Sequence, residues 1–158
     1  MHSRIFQISK EPITSENRIH ESRYEDGFVG RIADYVVESE SIGEDIEWLK
    51  TCHKGIEVEE KEDGTITMKI VSKEEYFEKS YDEFKSLIEK FKDYTISDFI
   101  DSKNWLDFYN FKSSYDEKYG FYVDDNDDYF GTETLDCFMR NAQEGDIYYI
   151  GSVFDYHF

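Results

Sequence analysis

Hydrophobic and polar positions divide the chain into short strands and amphipathic helices. Arg4 to Ile8 alternates as a short strand, and Pro12 then stops it, because proline cannot donate to a ladder. From Asp26 to Val37, Phe28, Ile32, Tyr35 and Val36 recur at helical spacing, with Gly27 and Gly30 arguing against a helix there. Ser41 and Glu44 have capping-box spacing for a second short helix with Ile46 and Leu49 facing inward.

Gly55 to Val71 gives the clearest hairpin. Ile56 and Val58 alternate with acids, Asp63-Gly64 supplies the turn, and Ile66, Met68 and Ile70 resume a period of two. Ser72 and Glu75 are spaced to cap the longest helix, which should reach about Tyr94. Its Phe77, Tyr81, Phe84, Ile88 and Phe91 recur at three- and four-residue steps. A further helix is expected from Ser97 to about Tyr115, anchored by Phe99, Ile100, Leu106 and Tyr109.

Tyr119 to Val123 reads as a strand, followed by the acidic loop Asp124-Asp125-Asn126-Asp127-Asp128. Thr132 to Ala142 should be a short helix. Asp146 to Phe158 reads as a long strand with Tyr148, Ile150, Phe154, Tyr156 and Phe158 on one face. Strands in hairpin-like order with helices between them predict an α+β fold. The sheet should be mainly antiparallel, built from an N-terminal strand, a central hairpin and a long C-terminal strand, with four or five helices. There is no repeat or linker, so residues 1–158 are read as one domain.

Composition changes this picture in one respect. The chain carries 37 acidic and 18 basic residues, a net charge of −19. Chains so charged are often disordered, but here 18% of residues are aromatic, enough large apolar area for a core. The charge opposes direct binding to nucleic acid and to anionic membranes, and it attracts basic protein surfaces. It is also uneven. Residues 1–37 hold five basic and six acidic residues, whereas residues 93–158 hold four basic and fifteen acidic. The Ser72–Asp93 helix mixes five lysines with seven acids, the pattern of a solvated face.

The C-terminal carboxylates are interleaved with rings. Asp107, Asp116 and Glu117 accompany Phe108, Tyr109 and Tyr115, and Asp124, Asp125, Asp127 and Asp128 adjoin Tyr122 and Tyr129. Tyrosine supplies contact area at low entropy cost, and carboxylates steer and pair with arginine. These nine residues, Tyr122, Tyr129, Asp107, Asp116, Glu117, Asp124, Asp125, Asp127 and Asp128, form the candidate partner-binding set. The plainer alternative is a solvated acidic face over rings that all belong to the core.

Catalytic and metal motifs are weak. An EF-hand template laid from Asp124 fails at Tyr129, where glycine is needed, and at Leu135, where glutamate is needed. Cys52 and His53 are neighbours, and neighbours on a helix point about 100° apart. Cys52 and Cys137 are expected to be free, buried thiols, as in a reducing cytosol. His20 or His157 could meet Cys137 only through the fold. No phosphate-cradling glycine motif occurs, and no cofactor is called for. No window is long and apolar enough to span a membrane, so a cytoplasmic location is expected.

The reading is therefore a non-enzymatic acidic domain that binds a basic protein surface. Its partner would be a nuclease or another nucleic-acid-binding protein. Immunity proteins and phage anti-restriction inhibitors are similar in size and acidity, a likeness of composition without a shared motif. The alternatives are a small enzyme whose residues converge only in the fold, and a generic interaction domain. A deep pocket holding histidine, cysteine or perturbed carboxylates favours the enzyme, and a convex acidic face favours the binder.

Overall fold

The computed structural model describes residues 1–125 and 131–158. Its seven strands are β1 (His2–Ser9), β2 (Tyr35–Glu38), β3 (Ile56–Glu60), β4 (Ile66–Ile70), β5 (Tyr122–Asp125), β6 (Thr132–Thr134) and β7 (Ile147–His157). The helices are α1 (Ile42–Cys52), α2 (Lys73–Phe91), α3 (Ile96–Ile100), α4 (Trp105–Tyr115) and α5 (Leu135–Asn141). All strands join one mixed sheet of order β3-β4-β7-β1-β5-β6, with β2 also paired to β7. The pair β1–β5 is parallel and every other pair is antiparallel. The expected α+β fold with a mainly antiparallel sheet is what forms.

The long C-terminal strand organises everything. One edge of β7 pairs with β1 along its length, while the other edge is shared between β4 at residues 147–150 and β2 at residues 154–157. The alternation in β7 is broken midway. Phe6 faces Val153 and Ile8 faces Ile150, so Gly151 and Ser152 together oppose Gln7. This bulge moves the following side chains across the sheet. Tyr148, Ile150 and Val153 join one core cluster, and Phe154 and Tyr156, with Phe158 packed against them, join the other. The five residues expected on one face of β7 are thus divided between two.

The first core lies under α1, α2 and α5 and gathers Phe6, Leu49, Tyr76, Phe138 and Met139. The second lies under residues 19–33 and gathers Ile5, Tyr24, Phe28, Tyr122 and Tyr156. The helix expected over residues 26–37 does not form. Gly27 and Gly30 adopt positive φ, 102° and 83°, turning the chain back before β2 begins at Tyr35. Phe28 still reaches the second core, so burial followed the apolar position while the backbone followed the glycines.

Helix ends also depart from expectation. Ser72 Oγ accepts from the Glu75 amide, but the Ser72 amide is already spent on the Gly55 carbonyl, so only half a capping box exists. Ser41 makes no side-chain cap, and its own amide donates to Ser39 Oγ. Thr95 and Asp98 form a complete capping box at α3. The continuous helix expected from Ser97 is broken at Asp101, whose extended backbone separates α3 from α4.

Among the described residues, no helix is long and apolar enough to cross a membrane. Both cysteines are free, as expected, but both are exposed where burial was expected.

Candidate functional site

Among the described residues, those expected to bind a partner do not form a single face. Tyr122 is 6% exposed and its hydroxyl donates to the Lys118 carbonyl, so this ring belongs to the second core. Asp124 is fully buried, accepting from Arg23 Nε at 2.9 Å and Thr132 Oγ1 at 2.7 Å. It is a structural ion pair between β5 and the chain before β2. Asp125 ends β5 and is half-buried. Asp107 is held by Lys90 Nζ at 2.7 Å and by the Tyr94 hydroxyl, which tie α4 to the end of α2. Hydrogen bonds from Lys90 and Tyr94 lower the carboxyl pKa and keep it ionised, and the lysine charge offsets the carboxylate. Asp127, Asp128 and Tyr129 lie outside the described residues.

Asp116 accepts from Thr134 Oγ1 at 2.6 Å and is partly buried. Glu117 is different, because it extends into a cleft of about 900 Å³ between α1, α2, α4 and the segment 117–121. His2 and Ser3 of β1 and Asp136 of α5 also line it.

The floor is aromatic. Tyr76, on the second turn of α2, stacks on the His53 ring at 5.2 Å and 14°. Phe121 meets His53 at 5.1 Å and Trp48 at 4.8 Å, the latter edge-on. Trp48 is held at the rim by Arg4, whose guanidinium lies 5.1 Å from its ring centroid. Arg4 is itself fixed by a buried ion pair to Asp45 on α1 and by Asp155 of β7 at 2.6 Å. Tyr109 and Tyr119 complete the aromatic lining.

The walls are acidic. Glu75, Glu78, Glu83, Glu117 and Asp136 line the cleft against two lysines, Lys54 and Lys79. Lys54 lies 3.8 Å from Glu78, an exposed pair of little strength. Asp136, near the start of α5, is oriented from two sides. Its Oδ1 accepts from the Tyr76 hydroxyl at 2.9 Å and its Oδ2 from the Glu117 amide at 3.1 Å. Arg140 holds this corner together, packing over Phe77 at 4.6 Å and Tyr115 at 4.1 Å and donating to the Tyr115 carbonyl.

Three groups in the cleft titrate away from their usual range, and desolvation with the nearby Asp136 charge raises the Tyr76 hydroxyl. Glu117 retains contact with water, yet the walls displace much of its hydration and Asp136 adds a second negative charge nearby. Both raise its pKa. His53 is lowered by desolvation, against a smaller opposing effect of Asp136, so its ring is neutral at pH 7. Among the described residues, no side chain hydrogen-bonds to the His53 ring, and Cys52 is exposed on the adjacent rim.

The other histidine–cysteine pairings do not form. His157 Nδ1 contacts Asp34 at 3.1 Å and its ring stacks on Tyr35. Cys137 is hydrogen-bonded to Glu133, which pushes its thiol pKa up to about 11. Among the described residues, no group of three or more His, Cys, Asp or Glu is placed to hold a metal ion. The EF-hand template rests largely on residues outside the described ones.

Compared with known proteins, the chain matches no family model, no curated protein and no solved structure.

Proposed function

We propose that this chain is a non-enzymatic binding domain that takes a basic segment of a partner protein into its acidic, aromatic cleft. The partner is of the kind that exposes a phosphate-binding surface, a nuclease or another nucleic-acid-binding protein. The observation that carries this reading is the composition of the cleft. Five carboxylates against two lysines surround a ring-lined concavity in a chain of net charge −19. An arginine guanidinium suits such a site because it stacks on aromatic faces and pairs with carboxylates through two parallel hydrogen bonds. The long-range field of the chain adds steering of a basic partner toward the surface.

The experiment is a titration with an oligoarginine peptide, read by Trp48 fluorescence in a Trp105→Phe background. Binding is expected to change the Trp48 signal, and the association rate should fall about tenfold or more between low and high salt. Binding that leaves Trp48 unchanged, or that ignores salt, contradicts the reading.

A second reading rests on a specific pair. Glu117 and His53 share one cleft and are shifted in opposite directions, a pattern found where a proton donor and a proton acceptor act together. In that case the chain is a small enzyme with Glu117 as acid and His53 as base. The cleft thus holds the histidine, cysteine and perturbed carboxylate that favour an enzyme. Among the described residues, however, no carboxylate hydrogen-bonds to the stacked His53, which is why the binding reading is preferred. A substrate turned over by the wild type and by neither Glu117→Gln nor His53→Gln would reverse the preference.

A further inference from the structure

Helices α3 and α4 carry apolar side chains where the sequence leads one to expect anchors, yet those side chains point outward. Ile96 is 77% exposed, Phe99 71%, Ile100 74%, Trp105 62% and Leu106 50%. The contact between α4 and α2 is made instead by Phe108 and Phe111, which stack on Phe91 and Phe84 at 5.1 and 4.9 Å. Among the described residues, the ring contacts of these outer side chains are local and leave them largely exposed: Phe99 meets Phe108 edge-on at 5.6 Å and Trp105 lies 6.1 Å from Tyr109. A whole Ile, Phe or Trp side chain offers on the order of 150–250 Å² for the rings and somewhat less for the aliphatics, so five residues at these exposures present roughly 500–600 Å². That lies at the upper end of the largest patch on a typical monomer, about 300–600 Å².

The charge of this face is also close to balanced. Residues 89–115 carry five acidic and four basic residues, a net of −1 in a chain of −19. Most of those charges are paired locally, as Lys90 with Asp107, Lys92 with Glu89 and Lys103 with Asp101. Asp98 is committed to the Thr95 cap. A basic partner has nothing to recognise on this face. A second copy does, because two strongly anionic chains can meet here across a nearly neutral, apolar surface.

We infer that two copies of this chain associate through the outer face of α3 and α4, about a two-fold axis. The available area is close to the low end of specific interfaces, about 600 Å² per partner. A two-fold contact would set the same five side chains against themselves, which suits a patch with little polar detail. This inference stands apart from the cleft, since the two surfaces respond oppositely to salt. Screening weakens capture of a basic segment, whereas it relieves the repulsion between two anionic copies.

Sedimentation equilibrium of the full chain tests it, at concentrations up to about 100 µM, the weak end for an interface of this size. The expected result is a species of twice 18.9 kDa, with association tightening as salt rises. The double variant Ile100→Gln, Trp105→Gln is expected to raise the dissociation constant at least about tenfold, because aromatic contacts dominate such interfaces. Its circular dichroism should match the wild type, since both side chains are exposed. A wild-type monomer across the range overturns the inference. So does a dimer that the double variant leaves intact, or a monomer whose Trp105 face binds phosphatidylcholine vesicles instead.

Discussion

The carboxamide oxygen of Gln7 accepts the amide of Ser152 at 3.1 Å, across the bulge that transfers β7 from one core to the other. The same oxygen accepts from the Ile19 amide at 3.3 Å, and Nε2 donates to the Asn17 carbonyl at 2.7 Å. One fully buried side chain thus supplies the ladder partner that the bulge removes and fastens the covering segment over the second core. Gly151 leaves the space for it. A Cβ there would lie 2.5 Å from Gln7 Oε1 and 2.8 Å from Ile13 Cγ2.

Gln7→Leu keeps the volume and removes all three bonds, stranding two amides and a carbonyl. It is expected to cost about 3 kcal/mol, a few times the price of one ordinary hydrogen bond. Urea unfolding measures this through the midpoint at an unchanged slope. A loss below about 1 kcal/mol would mean that water replaces Gln7 at the bulge.

The Arg4–Asp45 pair sets the cleft rim, and Asp45 is only 2% exposed. Arg4→Met leaves that carboxylate with Ser39 as its remaining side-chain partner, an expected loss of about 3–5 kcal/mol. It also removes the cation beneath Trp48. Adding Asp45→Leu should restore most of the stability but not the Trp48 environment, and thermal unfolding with tryptophan fluorescence separates the two effects. Equal instability of the single and double variants would contradict a desolvated ion pair.

Glu117 is expected to weaken the folded state at neutral pH. Its folded pKa lies above the unfolded value of about 4.5, so its contribution is fully present below pH 4.5 and is lost as pH rises through the folded pKa. Glu117→Gln should therefore be more stable than the wild type at pH 7, by less than about 1 kcal/mol because the group keeps contact with water. The difference should close as pH falls toward 4.5. A variant that gains stability and loses binding of a basic peptide marks Glu117 as kept for the ligand.

His53 moves the other way. Its depressed pKa favours the neutral ring, so stability is full above pH 6.5 and falls as pH drops through the folded value. His53→Gln is expected to flatten that part of the stability profile, measured by unfolding at several pH values. An unchanged profile would place the acid sensitivity in other residues.

Much of the fold was legible because its elements are periodic. Ile56 to Ile70 reads as a hairpin from its alternation and its Asp63-Gly64 turn, and the strands form there with Ile56 opposite Ile70. The bulge was not legible, because a single inserted residue leaves both flanking halves of β7 alternating and only their relative phase changes. Residues 26–37 mislead because Phe28 and Ile32 have helical spacing, while the left-handed Gly27 and Gly30 decide the backbone. In the expected helix from Ser97, Phe99 and Leu106 read as anchors, but the break at Asp101 re-aims α3 and gives the packing to Phe108 and Phe111.

The cleft was less legible still. Of the six expected binding residues that the structure describes, only Glu117 lines it, because the sequence shows carboxylates and not their partners. Asp124 reads as a loop anion and is a buried counter-ion to Arg23. Replacing Asp124, Asp125, Asp127 and Asp128 together with Asn would consequently disturb β5 as well as any surface. Trp48, His53, Tyr76 and Asp136 come together from segments far apart in the chain, and the mixed charges of α2 conceal that Glu75 and Glu83 face a concavity.

The location of a basic ligand is the most direct test. Amide chemical shifts of the labelled protein, followed during addition of an oligoarginine peptide, are expected to move first and most around residues 48–54, 75–83 and 117–121. The triple variant Glu75→Gln, Glu83→Gln, Glu117→Gln should abolish those movements. Shifts spread evenly over the acidic surface, or concentrated on the exposed acids of the β3–β4 hairpin and unaffected by the triple variant, would contradict the cleft as the binding site.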